Sequence, residues 1–211
     1  MQGLILSGIL ISTYLMFIAK RISALIRVFT LQSFFLFLAT YIAAKELGQL
    51  ELYIVAGLLL VLKVLLIPIL LGKIINRIKV SQDLGLFINA QISLFCALFL
   101  TFLAWVFSAR LNIPGSHTEV GVFAIAFFVV LTGLFLMISR ATALAQIIGL
   151  LAMENGLFLF AATVSGGMPF FVEIAIFFDV FVSVIIMGLF VYKINNLFTH
   201  IDVNKLTRLK G

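Results

Sequence analysis

Seven stretches of mostly apolar residues, each long enough to cross a bilayer as a helix, take up most of this sequence. A helix that crosses the hydrocarbon core needs about 20 residues, each adding about 1.5 Å. The stretches cover about residues 2–19, 28–46, 52–72, 84–108, 119–139, 142–164 and 169–192. The sequence therefore predicts an all-α polytopic membrane protein with seven transmembrane helices.

The composition supports this class. Hydrophobic residues make up 64% of the 211 and charged residues only 10%, against about 25% charged residues in soluble domains. The first stretch has no basic residue before it and ends at Lys20 and Arg21, so we expect a retained helix and not a signal peptide. The single cysteine, Cys96, excludes an internal disulfide framework and a cysteine-ligated cluster.

Basic residues between the stretches predict the orientation, because cytoplasmic loops carry more lysine and arginine. Eleven lie on one side, in the first, third and fifth loops and the tail, and two lie on the other. Arg27 belongs to the first loop on this count. The N-terminus is then outside and the C-terminus cytoplasmic. Topology also explains the net charge of +6 without nucleic acid. We expect a four-helix part (1–113), a three-helix part (114–192) and a basic tail (193–211).

Lys63 lies near the centre of the third stretch, too deep for its side chain to reach the headgroups. It is expected to face water or an acidic partner inside the protein. Pro68 removes a backbone hydrogen bond and frees a carbonyl near Val64. A structural kink with a buried ion pair is the alternative reading of these residues.

Glu154 lies in the middle of the sixth stretch, where an ionised side chain is costly. Asn155 follows it and offers an amide in another direction. A row of small residues lies roughly opposite Glu154 at about 100° per residue and predicts close approach of another helix. The row consists of Ala145, Gly149, Ala152 and Gly156. The sixth helix therefore needs protein or water on both sides.

Two further stretches carry polar residues at membrane depth. The seventh has Asp179 near its centre with Ser183 one turn on, and the shallower Glu173, for which a hydrated interfacial position is the alternative. The fourth has Asn89 and Ser93, which are either contacts between helices or a hydrated lining.

One lysine and two carboxylates at similar depth suit stepwise proton movement. Lys63, Glu154 and Asp179, with Glu173 as a less favoured member, are therefore the candidate relay residues. The sequence contains no nucleotide-binding loop, metal motif or redox ligand set, so the energy source must lie on partner proteins.

The stretch from Arg140 to Leu159 resembles chain K of the proton-pumping NADH:quinone oxidoreductase and the C subunit of multisubunit cation/proton antiporters. Residues 119–192 match the family's three-helix plan. Ile148-Gly149-Leu150 aligns with the first three residues of its Ile-Gly-Leu-Glu motif, and Asn155 aligns with its nearby asparagine. The motif's glutamate position is Leu151 here, and the carboxylate comes three residues later. The family's second carboxylate corresponds to Asp179 or Glu173.

The whole chain is similar to the hydrogenase-4 component E family. The segments that carry this resemblance are Lys63-Val-Leu-Leu-Ile-Pro68, Met153-Glu154-Asn155-Gly156 and residues 169–179. It implies a non-catalytic membrane-arm subunit of a group 4 [NiFe]-hydrogenase or formate hydrogenlyase-type complex in a prokaryotic inner membrane.

The same resemblance implies the partners. Antiporter-like subunits and a subunit similar to the H subunit of the NADH:quinone oxidoreductase would lie beside this protein. A peripheral arm would hold the nickel–iron centre and iron–sulfur clusters, with no cofactor in this chain. The alternatives are an antiporter subunit without a redox role and a purely structural or assembly subunit. A seven-helix receptor is disfavoured because the last stretch has no lysine at its centre.

Overall fold

The computed structural model describes residues 2–78, 90–110 and 120–164, and within these ranges all regular structure is helical. The helices are α1 (Gln2–Ile18), α2 (Ile22–Leu47), α3 (Leu50–Leu58), α4 (Ile67–Ile78), α5 (Ala90–Arg110), α6 (Val120–Ser139) and α7 (Ala143–Val164), with a π-helical segment (Leu59–Leu66) between α3 and α4. Within these residues, five spans are long and apolar enough to cross a membrane, and α1 is a shorter apolar helix. The predicted all-α class is confirmed, and the chain is an integral membrane protein.

Helix α2 begins earlier than the hydropathy of the sequence predicts. The sequence places Arg27 in the first loop, whereas the structure has it inside a helix of 26 residues that starts at Ile22. Ile22, Leu25 and Ile26 are buried on one side of this first turn, and Arg27 is exposed on another. A long basic side chain near a helix end can keep its charge in water while its stem covers apolar surface, so Arg27 does not end the helix.

The spans α2 and α3 meet in a tight turn at Gly48. This residue has a left-handed backbone conformation with φ 66°, and its N–H donates to the carbonyl of Ala44 at 2.9 Å. Glycine adopts this conformation without steric cost, which is why it commonly ends helices. The turn lets the chain reverse, so that α3 and the π-helical segment pack back along α2.

The span Leu50–Lys73, which we call the third span, departs from α-helical geometry near Pro68, as the proline predicts. Proline lacks the N–H that an α-helix would direct to the carbonyl of Val64. The preceding N–H, from Ile67, donates to the carbonyl of Leu62, five residues back. The π-helical segment Leu59–Leu66 thus ends two residues before Pro68 and contains Lys63. Such wide turns are rare and are frequently found at functional sites.

Helix α7 packs against α6 through glycine, as its row of small residues predicts. A Cβ atom added at Gly133 of α6 would lie 2.5 Å from the carbonyl oxygen of Gly149. One added at Gly156 would lie 2.7 Å from the backbone nitrogen of Val130. The two backbones touch because no side chain separates them. Asn155 of α7 contacts α2, and Glu154, on the face opposite the small residues, contacts Lys63, so α7 has protein on both sides and the sequence prediction is confirmed.

Candidate functional site

Lys63 and Glu154 meet inside the helix bundle. The Nζ atom of Lys63 lies 3.7 Å from Oε2 of Glu154, and the side chains are only 2% and 3% exposed. Lys63 lies in the π-helical segment, and Glu154 lies in the middle of α7. Opposite charges at this separation offset part of the cost of removing each from water. The acidic partner expected for Lys63 is therefore Glu154.

Asn155 gives Lys63 a second, closer partner. Nζ of Lys63 donates to Oδ1 of Asn155 at 3.0 Å. The amide nitrogen of Asn155 in turn donates to Oε1 of Gln32 at 3.2 Å and to Oγ of Ser33 at 3.0 Å, both on α2. One buried amide thus joins the π-helical segment to α2, and neither half of its side chain is left without a partner.

The hydrogen bonds continue from Gln32 to α1. Nε2 of Gln32 donates to Oγ1 of Thr13 at 2.8 Å, and Thr13 donates to the backbone carbonyl of Ile9 at 2.7 Å. We call Asn155, Gln32 and Thr13 the amide chain. All three residues are buried. Every donor in it points away from Lys63, so the lysine is the first donor and a backbone carbonyl is the last acceptor.

Comparison with known proteins shows the family to which this chain belongs. Hydrogenase-4 component E of Escherichia coli is 34% identical over 150 residues, which cover 71% of this chain and 69% of that protein. The component E of Shigella flexneri aligns with the same values. An uncharacterized protein of Mycobacterium tuberculosis is 28% identical over 152 residues, 72% of this chain and 69% of the relative. The chain belongs to the hydrogenase-4 component E family. No family model matches the chain. No solved structure matches it either.

In this member of the component E family, the structure brings together three of the residues that the sequence singles out, Lys63, Glu154 and Asn155. Pro68 lies just beyond the π-helical segment. Ser93 is buried in α5, whereas the amide chain runs through α1, α2 and α7. Four other predicted positions, Asn89, Glu173, Asp179 and Ser183, lie outside the described residues.

Sequence reasoning missed the part of the site that lies on α1 and α2. Gln32 and Thr13 were not among its candidate residues, yet Gln32 is 1% exposed and Thr13 is fully buried. The available signal was the amide of Gln32 in an apolar stretch, because polar side chains at membrane depth mark helix contacts or functional sites. Among residues 2–78, 90–110 and 120–164 of this component E protein, no group of histidine, cysteine and acidic side chains could hold a metal ion.

Sequence reasoning also counted Arg140 only as a loop charge, whereas its side chain is 1% exposed. It lies between α6 and α7, and Nη2 donates to the carbonyls of Met16 and Phe17 at 3.3 and 3.4 Å, near the end of α1. Burial lowers the pKa of the Arg140 guanidinium group, which nevertheless stays protonated at physiological pH. A buried cation thus ties the turn between α6 and α7 to α1.

Proposed function

We propose that this chain is a membrane subunit of a hydrogenase complex and that Glu154 and Lys63 exchange protons within it. The contact between Lys63 and Glu154 supports the proposal most directly. Two oppositely charged groups lie 3.7 Å apart in spans that could cross the bilayer, and both are almost completely buried. Ionisable groups at such depth are rare and usually functional.

Glu154 and Asn155 give Lys63 two described ways to respond to a proton. When Glu154 is ionised, the ammonium group of Lys63 is drawn toward it. When Glu154 takes up a proton, that attraction is lost and Asn155, already at 3.0 Å, remains as an acceptor. Movement of one proton at Glu154 therefore changes where the positive charge of Lys63 is held. This is the kind of step that couples proton transfer to events in a neighbouring subunit.

The amide chain limits the route that protons take. Side-chain amides donate and accept hydrogen bonds but have no proton that they readily release. The amide chain also ends at the carbonyl of Ile9, a backbone acceptor. The amide chain therefore gives a proton on Lys63 no way out, whereas Glu154 can accept one, and the role of the amide chain is to position Lys63.

We further propose that the protein has the arrangement expected from its sequence. This arrangement comprises seven transmembrane helices, an outside N-terminus and a cytoplasmic C-terminus, with the three parts 1–113, 114–192 and 193–211. Asp179 is the second proposed proton-exchanging residue, with Glu173 as a less favoured candidate and Ser183 as a supporting polar residue. The nickel–iron centre and iron–sulfur clusters belong to partner subunits of a complex in the prokaryotic inner membrane. The membrane neighbours are antiporter-like subunits and a subunit similar to the H subunit of the NADH:quinone oxidoreductase.

The test compares Glu154→Gln and Asp179→Asn in the assembled complex. Protons moved per hydrogenase turnover are measured in inverted membrane vesicles, with subunit content measured in parallel. We expect both substitutions to reduce proton movement while the complex stays intact. Glu51→Gln removes an exposed carboxylate from the first turn of α3 and is the matched control.

Two results would contradict the proposal. An unchanged number of protons per turnover in an intact Glu154→Gln complex rejects the relay. Loss of the complex in Glu154→Gln, with normal coupling in whatever complex remains, indicates a structural role for the buried pair instead.

A further inference from the structure

The turn between α6 and α7 holds four buried polar atoms with no hydrogen-bond partner among the residues that the structure describes. They are Oγ of Ser139, Nε and Nη1 of Arg140, and Oγ1 of Thr142. Arg140 is 1% exposed and Ser139 is 4% exposed. Buried polar groups are normally satisfied, and a buried cation most of all. An acceptor from outside the described part of the chain would satisfy all of these donors.

The start of α7 adds positive potential to this turn. The carbonyl of Thr142 accepts the N–H groups of Ala145 and Gln146 at 3.0 and 3.1 Å, so Thr142 is the capping residue. A threonine here usually also caps the helix with its hydroxyl group, but Oγ1 of Thr142 makes no such bond. The positive end of the helix dipole and the hydroxyl group are therefore left for another group.

Among the residues that the structure describes, the charges near the turn are all of one sign. Arg140 is held against the end of α1, and Lys20 and Arg21, which are exposed, follow α1 directly. Of the acidic residues that the structure describes, Glu46 and Glu51 lie at the other end of α2, and Glu154 contacts Lys63. The local field thus favours an anion that is not supplied by the described residues.

We propose that this turn binds the phosphate group of an anionic phospholipid. The turn joins two spans and so lies at a membrane surface, where phospholipid headgroups are the most abundant anions. A phosphate group offers several oxygens, which suit donors that point in different directions. Ala141 is exposed and Thr142 is partly exposed, so the turn is open to the surface beside the buried guanidinium group. This site is separate from the proton-exchanging pair and does not depend on the proposed function.

The experiment uses the purified full-length protein in detergent. Native mass spectrometry measures retention of added phosphatidylglycerol, with phosphatidylcholine as the zwitterionic comparison, and thermal unfolding is followed with each lipid and with inorganic phosphate. The wild type should retain phosphatidylglycerol in preference to phosphatidylcholine. Arg140→Gln should weaken this retention by about tenfold or more, because a charge-assisted contact is lost.

Two further variants keep the test decisive if Arg140→Gln does not fold. Thr142→Val and Ser139→Ala remove hydroxyl groups that make no hydrogen bond among the described residues, so each should fold and still weaken phosphatidylglycerol retention. Lys73→Gln removes an exposed charge from α4 and is the matched control, with unchanged retention expected. Equal retention in wild type, Thr142→Val and Ser139→Ala overturns the proposal. Stabilisation by inorganic phosphate as large as that by phosphatidylglycerol overturns the lipid assignment.

Discussion

Lys63 lies closer to Asn155 than to Glu154, with Nζ 3.0 Å from the amide oxygen of Asn155 and 3.7 Å from the glutamate. The neutral acceptor therefore takes the better hydrogen bond, and the anion remains within reach. Because Asn155 is fixed by Gln32 and Ser33, the lysine is positioned by α2 as well as by its own helix. The geometry predicts separate effects for the loss of each partner.

Replacement of Lys63 by methionine should destabilise the protein more than joint replacement of Lys63 and Glu154. Removal of one member leaves the other charge buried without the opposite charge that offsets its burial, which costs about 3–5 kcal/mol. Removal of both leaves an apolar contact, which is often neutral or stabilising. Thermal unfolding of Lys63→Met, Glu154→Leu and the double variant in detergent measures this difference. A double variant less stable than both single variants would show that the pair contributes net stability.

Asn155→Leu should impair proton transfer although it removes no ionisable group. Lys63 loses its closer acceptor, and the buried groups of Gln32 and Ser33 lose a donor, at a cost of about 1–3 kcal/mol. Proton translocation per turnover and thermal stability should both fall, and Gln32→Leu should act more weakly on translocation because Gln32 reaches Lys63 only through Asn155.

Thr132→Val controls for the loss of a buried polar group in the Asn155 experiment. The hydroxyl group of Thr132 donates only within α6, to the carbonyl of Phe128, so this variant should leave proton translocation unchanged. Wild-type translocation in Asn155→Leu would remove the amide chain from the mechanism.

Pro68→Ala should shorten the π-helical segment. Alanine restores an N–H that can donate to Val64 in an α-helical pattern. A π-helical hydrogen bond joins residues five apart, whereas an α-helical one joins residues about four apart. Loss of the wide turn should therefore rotate Lys63 about the helix axis and away from Asn155. Cryo-electron microscopy of the complex would reveal the change, with reduced proton translocation as the functional readout. An unaltered π-helical segment would mean that contacts with α2, and not Pro68, determine it.

Gly133→Ala should disrupt the contact between α6 and α7. The added methyl group would lie 2.5 Å from the carbonyl oxygen of Gly149, so the backbones must separate, at a cost of about 1–3 kcal/mol. Gly121→Ala is the control in the same helix, since no atom lies within 4 Å of its added Cβ. Lower thermal stability is expected for Gly133→Ala alone. Equal unfolding temperatures for the two variants would show that the helices accommodate the methyl group.

The sequence was sufficient to predict features that depend on one helix at a time. Within the described residues, hydropathy located the apolar helices, and the period of α7 predicted the row of small residues that packs against α6. The sequence did not predict the features that depend on which helices meet. Neither the pairing of Lys63 with Glu154 nor the reach of Asn155 to Gln32 follows from spacing, because each joins residues far apart in sequence.

The count of loop charges placed Arg27 in a loop and did not predict that Arg140, which does lie in the turn between α6 and α7, is buried. Arg27 was assigned to a loop because it is charged, but an exposed arginine near a helix end is tolerated there. Arg140 was counted as an ordinary loop charge, but it is buried against the carbonyls at the end of α1. In both cases the surroundings of the side chain determine whether it lies in a helix or is buried. A single sequence does not reveal these surroundings.

The glycine contact between α6 and α7 has a mechanical consequence. Where two backbones touch without intervening side chains, neither helix can slide or rotate without a steric clash. Glu154 thus lies on a helix that is packed tightly against α6. Lys63 lies in the π-helical segment and has a long side chain with several rotatable bonds. In the proposed mechanism, a change of charge at Glu154 would therefore shift the ammonium group of Lys63 between Glu154 and Asn155 and leave α6 and α7 where they are.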